Sequence, residues 1–266
     1  MLGSLNGPCV GMVDPLSLDR FATPENMSTL PPEIAAFDHA QRMTIDLMRA
    51  VVDNLEAGMS ELAVYELAIE QAGAFGFTDW FAKPEVRFDG ARSIFHRPSS
   101  KRVLRKGTLV ELDFAPSTGN AFGDFGIGFA FGTDEEPMIV AEARDACKAV
   151  CGFASRFKTV GELFVFAESW ANNRRVSLGG ARSVGHIGPL CEGVFAKAWP
   201  KSARMAIFLR RCQVHFLNPR RVIGIYAISP RVVANGQAVC FEEMIYIEGE
   251  EKRILGRNSE DEIGTL

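Results

Sequence analysis

The stretch from Val110 to Gly132 most constrains what this chain can become. Residues 108–114 are apolar and β-prone, residues 116–120 are turn chemistry, and residues 122–131 alternate aromatic with small side chains. That pattern predicts two antiparallel strands joined by a turn. Each strand carries one aspartate, Asp113 and Asp124, eleven positions apart, and a turn of this size can set them side by side on one face. Their neighbours are Val110, Leu112, Phe114, Phe122, Phe125, Ile127 and Phe129. Two carboxylates pressed together in an apolar sheet repel and resist ionisation unless a cation lies between them. A pair of solvent-facing aspartates is the plainer alternative; the apolar company favours a site for one metal ion or two.

Size and composition bound the rest. With 266 residues the chain can form one large domain or two small ones, and 47% hydrophobic with 23% charged residues is ordinary for a globular protein with a sizeable core. A net charge of −4 and a pI near 5.7 argue against a general nucleic-acid binder. The six cysteines (Cys9, Cys147, Cys151, Cys191, Cys212 and Cys240) show neither zinc-ribbon nor disulfide-framework spacing. Cys147 and Cys151, one helical turn apart, suit helix packing. A reducing, cytoplasmic compartment is expected. There is no leader pattern and no apolar run approaching the ~18 residues of a membrane span.

Taken in order, residues 1–30 read as an irregular arm, residues 31–258 as one domain and residues 259–266 as a flexible tail. Pro31, Pro32 and Glu33 open a helix that runs to about residue 56, Gly58 ends it, and Ser60 opens a second to about residue 74, with Glu61 a capping acid. Residues 88–98 read as strand, turn and strand and contain His96. Arg97 and Arg102 read as solvated charges, with recognition of a substrate carboxylate the minority alternative. Helices follow over residues 137–156 and 159–172. His186 lies among glycines that let the backbone bend tightly and turn the imidazole inward. Residues 197–221 are basic and read as a solvated or subunit-contacting insert.

The residues that carry chemistry resemble a family. An LD strand at Leu112-Asp113, Asp124 on the next strand, the run Val184-Gly185-His186-Ile187-Gly188, and the closing strand around Phe241-Glu242-Glu243-Met244 occur in one order. That order is similar to the pita-bread superfamily of methionine aminopeptidases, prolidases, Xaa-Pro aminopeptidases and creatinases. The 62 positions from Asp124 to His186 match its spacing, and the linking Gly58-Met59-Ser60-Glu61 resembles its turn between the first two helices. The resemblance implies an α+β fold: a curved antiparallel sheet with two helix pairs on its convex face, in two αβ halves about a pseudo-two-fold axis. It implies a divalent metal centre (Mn, Fe, Co or Zn, one ion or two) held by Asp113, Asp124, His186 and Glu242. His186 and Glu242 would take part in catalysis, and His96, seventeen positions before Asp113, would orient substrate. Glu243 is the neighbour that a one-residue slip would substitute for Glu242. A homodimer, with no nucleic-acid or membrane partner, is expected. The chain is methionine-aminopeptidase-sized, although its hairpin and closing strand look nearer the prolidase and creatinase side.

Two departures qualify the resemblance. Where the family's apolar strand ends in Glu-Pro, this chain has Ser229-Pro230, and a serine hydroxyl is a poor ligand for a hard divalent ion and no general base near neutral pH. The family's second histidine is also missing: Leu190, Cys191, Glu192 and Gly193 stand there, with Glu192 or His215 as possible substitutes. The expectation is a mononuclear or weakened dinuclear centre with Ser229 facing the substrate. Function then divides between an altered enzyme acting on a small peptide-like or amino-acid-derived substrate, an ordinary peptidase, and an inactive body that binds a partner.

Overall fold

The computed structural model describes residues 32–90, 97–119, 121–179, 183–187 and 213–266. Two helices open it. Helix α1 (Pro32–Asp53) presents Phe37, Ala40, Leu47, Met48 and Val51 to the core. Helix α2 (Glu61–Ala74) begins where the Ser60 side chain accepts from the Ala63 amide at 3.1 Å. Three strands follow: β1 (Asp79–Phe88), β2 (Leu109–Ser117) and β3 (Phe125–Ala130), paired antiparallel in that order. Helices α3 (Met138–Phe153) and α4 (Val160–Asn173) come next, and Thr159 with Glu162 closes a capping box on α4.

The second half then lays down β4 (Ser177–Leu178), β5 (Gly185–Ile187), β6 (Gly224–Ile228), β7 (Arg231–Ala234), β8 (Gln237–Cys240), β9 (Glu243–Glu248) and β10 (Glu251–Ile254). These form an antiparallel sheet in the order β10-β9-β6-β5 and a smaller one in the order β4-β7-β8. Helices α1 and α2 pack on β2 and β1, and α3 and α4 on β7, β8 and β4, so a helix pair followed by antiparallel strands occurs twice. One apolar core runs through both halves, from Leu47 and Val64 to Leu163, Val239 and Ile245.

Several local expectations change. A strand precedes Phe88 where one was expected only around and after it: β1 spans ten residues and is bulged about Lys83 and Pro84, where proline cannot supply a ladder donor. Glu61, the acid in the first turn of α2, is also fully buried, grips the Arg102 guanidinium through both oxygens at 2.7 and 2.6 Å, and accepts from the Phe88 and Ser99 amides. Arg102 is thus a structural cation. The expected flexible tail packs on the body, because Ile263 is fully buried and the Gly264 amide donates to Glu243 at 2.8 Å. The N-terminal arm, His96, Leu190 to Gly193 and most of the basic stretch lie outside the described residues.

Candidate metal centre

The hairpin register places the acids. Across the strands, Glu85 on β1 is opposite Asp113 on β2, and Asp113 is opposite Gly126 on β3. Gly126 in turn forms an isolated bridge with Glu242, with Glu242 N to Gly126 O at 2.9 Å and Gly126 N to Glu242 O at 3.1 Å. Residues opposite one another in a sheet share a face, so Glu85, Asp113 and Glu242 form one row with a gap at Gly126. That gap is what lets the acids approach: a Cβ on Gly126 would meet the Glu242 Cβ at 3.0 Å. The bridge also joins the two halves of the protein at the site.

Asp124 lies just before β3 and so is not directly opposite Asp113; both nonetheless face one cavity. Its backbone is held by Gln41 of α1, whose amide donates to Asp124 O at 3.0 Å and accepts from Asp124 N at 2.7 Å. His186 enters on β5, opposite Ala227. The preceding Gly185, at φ 142°, crosses so close to β6 that a Cβ would meet Ala227 O at 2.1 Å. The imidazole stands 5.7 Å from the Phe81 ring, which stacks on Phe122 at 4.2 Å.

The cavity, about 210 Å³, is lined by Phe81, Lys83, Asp113, Asp124, His186, Ser229 and Glu242, with Ala82, Glu85 and Ala115. His186 Nε2 lies 2.9 Å from Asp124 Oδ2 and 3.6 Å from Glu242 Oε1. Ligand atoms of Asp124, His186 and Glu242 all fall within 4.8 Å of one another. Asp113 and Ser229 stand beside this group in the cavity wall. Burial first, then the charges of Glu242 and Asp124, push Asp113 well above the usual carboxylate range. Burial and the charge of Asp124 push Glu242 up as well, against the opposing influence of the neighbouring Asp113 and Ser229.

Glu242 Oε1 is buried without a hydrogen-bond partner. An orphaned carboxylate oxygen facing an imidazole nitrogen and a second carboxylate is a donor set that suits a divalent cation. Glu243 does not compete for this place, since its carboxylate turns to Arg257 at 2.8 Å. His215 is not among the lining residues; its Nδ1 accepts from the Leu217 amide at 3.1 Å. Sequence reading missed Lys83 and Glu85, because their place in the cavity depends on the bulge and register of a strand it had not drawn. It also missed Gly126, whose signal was the small member of an aromatic–small alternation.

Antiparallel sheets backed by two helix pairs, with an Asp-His-Glu cluster where the halves meet, define a pita-bread protein. The model of metallopeptidase family M24 matches residues 35–257, and the chain belongs to that family. No curated protein matches it in sequence. Among solved structures it is similar to the X-Pro aminopeptidase of Thermotoga maritima (17% identity, 86% of this chain and 62% of that one, TM-score 0.67). It is likewise similar to the prolidase of Pyrococcus furiosus (15%, 85% and 64%, TM-score 0.64) and a dipeptidase of Mycobacterium ulcerans (15%, 86% and 58%, TM-score 0.65). The chain therefore spans about three fifths of the length of the structures it matches. At such identities the likeness establishes the fold.

Proposed function

We propose that the chain is a divergent metal-dependent enzyme acting on a small peptide-like or amino-acid-derived substrate, with chemistry altered from ordinary peptide hydrolysis. The observation that carries this reading is the convergence of Asp124, His186 and Glu242 within 4.8 Å around an orphaned carboxylate oxygen. These three would hold one divalent ion, and a bound ion would supply Lewis-acid polarisation of a carbonyl or carboxylate. Asp113, beside Glu242 in the cavity wall, would hold its proton more tightly once Glu242 ionises, because a second negative charge there is disfavoured. Ser229 contributes a hydroxyl where a fifth ligand would add a carboxylate, so a second ion has only Asp113 and shared oxygens. His96 is retained as the imidazole that orients substrate. The free, buried Cys147, Cys151 and Cys240 fit a reducing cytoplasmic setting, and a homodimer is the proposed assembly.

A second reading, an inactive binding body, is favoured by Ser229, a neutral hydroxyl in the cavity wall where a further carboxylate ligand would stand. Metal analysis of protein purified without chelator, followed by calorimetric titration with Mn(II), separates the two. Saturable binding near one ion per chain, with turnover on a panel of dipeptides and amino-acid amides, supports the enzyme. No saturable binding leaves the inactive body.

A further inference from the structure

Three segments far apart in sequence meet behind the metal-site acids. Gln41 of α1, fully buried, closes both backbone hydrogen bonds of Asp124. Glu243, fully buried on β9 next to Glu242, pairs with Arg257 Nη2 at 2.8 Å and accepts from the Gly264 amide at 2.8 Å. Arg257 also donates to Thr265 O at 2.8 Å, and its guanidinium lies 4.9 Å from the ring centroid of Phe125, the residue after Asp124. The C-terminal segment is pressed onto α1 at the same point. The Gly256 amide donates to Asp38 at 3.0 Å, and a Cβ on Gly256, at φ 74°, would meet Gln41 Cγ at 2.8 Å.

We propose that residues 256–265 are a latch that sets the spacing of Asp124 and Glu242, with Arg257 as its positioning residue. Arg257 touches neither acid. It acts through Glu243, which fixes the facing of β9 and so turns Glu242 into the cavity, and through Phe125, which follows Asp124. Two carboxylates that repel when ionised need such outside restraint to stay at ligand distance, and the buried Arg257–Glu243 pair with the Gly264 amide supplies it, while Glu243 Oε2 and Arg257 Nε stay without hydrogen-bond partners among the described residues. The consequence for metal binding rests on the proposed metal centre, whereas the latch itself does not.

The test compares Arg257→Met, Arg257→Lys and Val64→Ala, the last a buried truncation in α2 away from the latch, in the full chain. Hydrogen exchange on metal-free protein reads the latch directly. Arg257→Met should speed exchange at the Asp124, Gly126, Glu242 and Gly264 amides at least tenfold, Arg257→Lys should restore part of the protection, and Val64→Ala should leave those amides within about twofold. Titration with Mn(II) reads the consequence: Arg257→Met should weaken binding at least tenfold and Val64→Ala by no more than twofold. Uniform exchange in Arg257→Met, or a loss matched by Val64→Ala at equal thermal destabilisation, overturns the latch. If the wild type takes up no Mn(II), the metal reading fails and the latch is decided by exchange alone.

Discussion

At the scale of single residues, the site turns on what Ser229 and Gly126 lack. Ser229 lines the cavity beside Glu242. Ser229→Glu adds charge and a strong oxygen ligand where a hydroxyl offers neither. Mn(II) affinity measured by calorimetry should therefore rise, with stoichiometry moving toward two, while the metal-free protein loses thermal stability to the added repulsion. Equal affinity and stoichiometry in both forms would falsify the role given to Ser229. Gly126→Ala puts a methyl 3.0 Å from the Glu242 Cβ. Overpacking of this kind costs about 1–3 kcal/mol, read in urea unfolding. It should also displace Glu242 and weaken Mn(II) binding, whereas Gly73→Ala on α2, where a Cβ meets nothing within 4 Å, should do neither.

Between elements, the Glu111 cluster is a buried polar tie that joins β2 to β7 and β8. Glu111 on β2 is gripped by both terminal nitrogens of Arg231 on β7, at 2.7 and 2.9 Å, and accepts from the Cys240 amide at 3.1 Å. Arg87 Nε approaches it at 3.3 Å and also pairs with Glu85, which lines the cavity. The cluster ties the first hairpin to the small sheet two residues after Ser229. Breaking a buried pair from one side typically costs ~3–5 kcal/mol. Arg231→Met should fall near the lower end, about 3 kcal/mol in urea unfolding, because Arg87 and the Cys240 amide still face Glu111. Glu111→Met in the same chain should return part of the loss, since an uncompensated buried charge is then removed. A double variant no more stable than Arg231→Met would contradict this account.

For the whole molecule, the buried acids set a pH dependence with a definite sign. Burial and mutual repulsion raise Asp113 and Glu242 well above their ordinary range, and burial raises Glu111 and Glu243 in the same direction. A carboxyl whose folded pKa exceeds its unfolded value makes the native state bind protons more readily than the unfolded chain. Metal-free protein should thus gain stability as pH falls through those raised values toward the ordinary carboxylate range, and lose it as pH rises. Bound Mn(II) requires ionised ligands, so it should stabilise most at the alkaline end and be released as pH falls. Thermal unfolding from pH 5 to 8, with and without Mn(II), should give slopes of opposite sign. Glu242→Gln should flatten both, and parallel slopes would contradict the arrangement.

The local signals in the sequence determined a good deal. The cap at Ser60 and the helical patterns over residues 137–156 and 159–172 placed three helices. The alternation around Asp113 and Asp124 placed the hairpin, and the order of Asp, Asp, His and Glu indicated the family that the match over residues 35–257 establishes. These are short-range patterns, written in neighbouring residues. What only the tertiary structure decided was register and pairing across long separations. Lys83 and Glu85 reach the cavity because β1 bulges and pairs with β2, and Asp113 meets Glu242 because a glycine leaves space between them. Glu61 is a buried partner of Arg102 as well as the acid of its helix's first turn, and the last residues are a packed segment rather than a tail, because each supplies a charge or a donor that a distant buried group requires. A buried carboxylate must find its partners somewhere, and where they lie along the chain leaves no local trace.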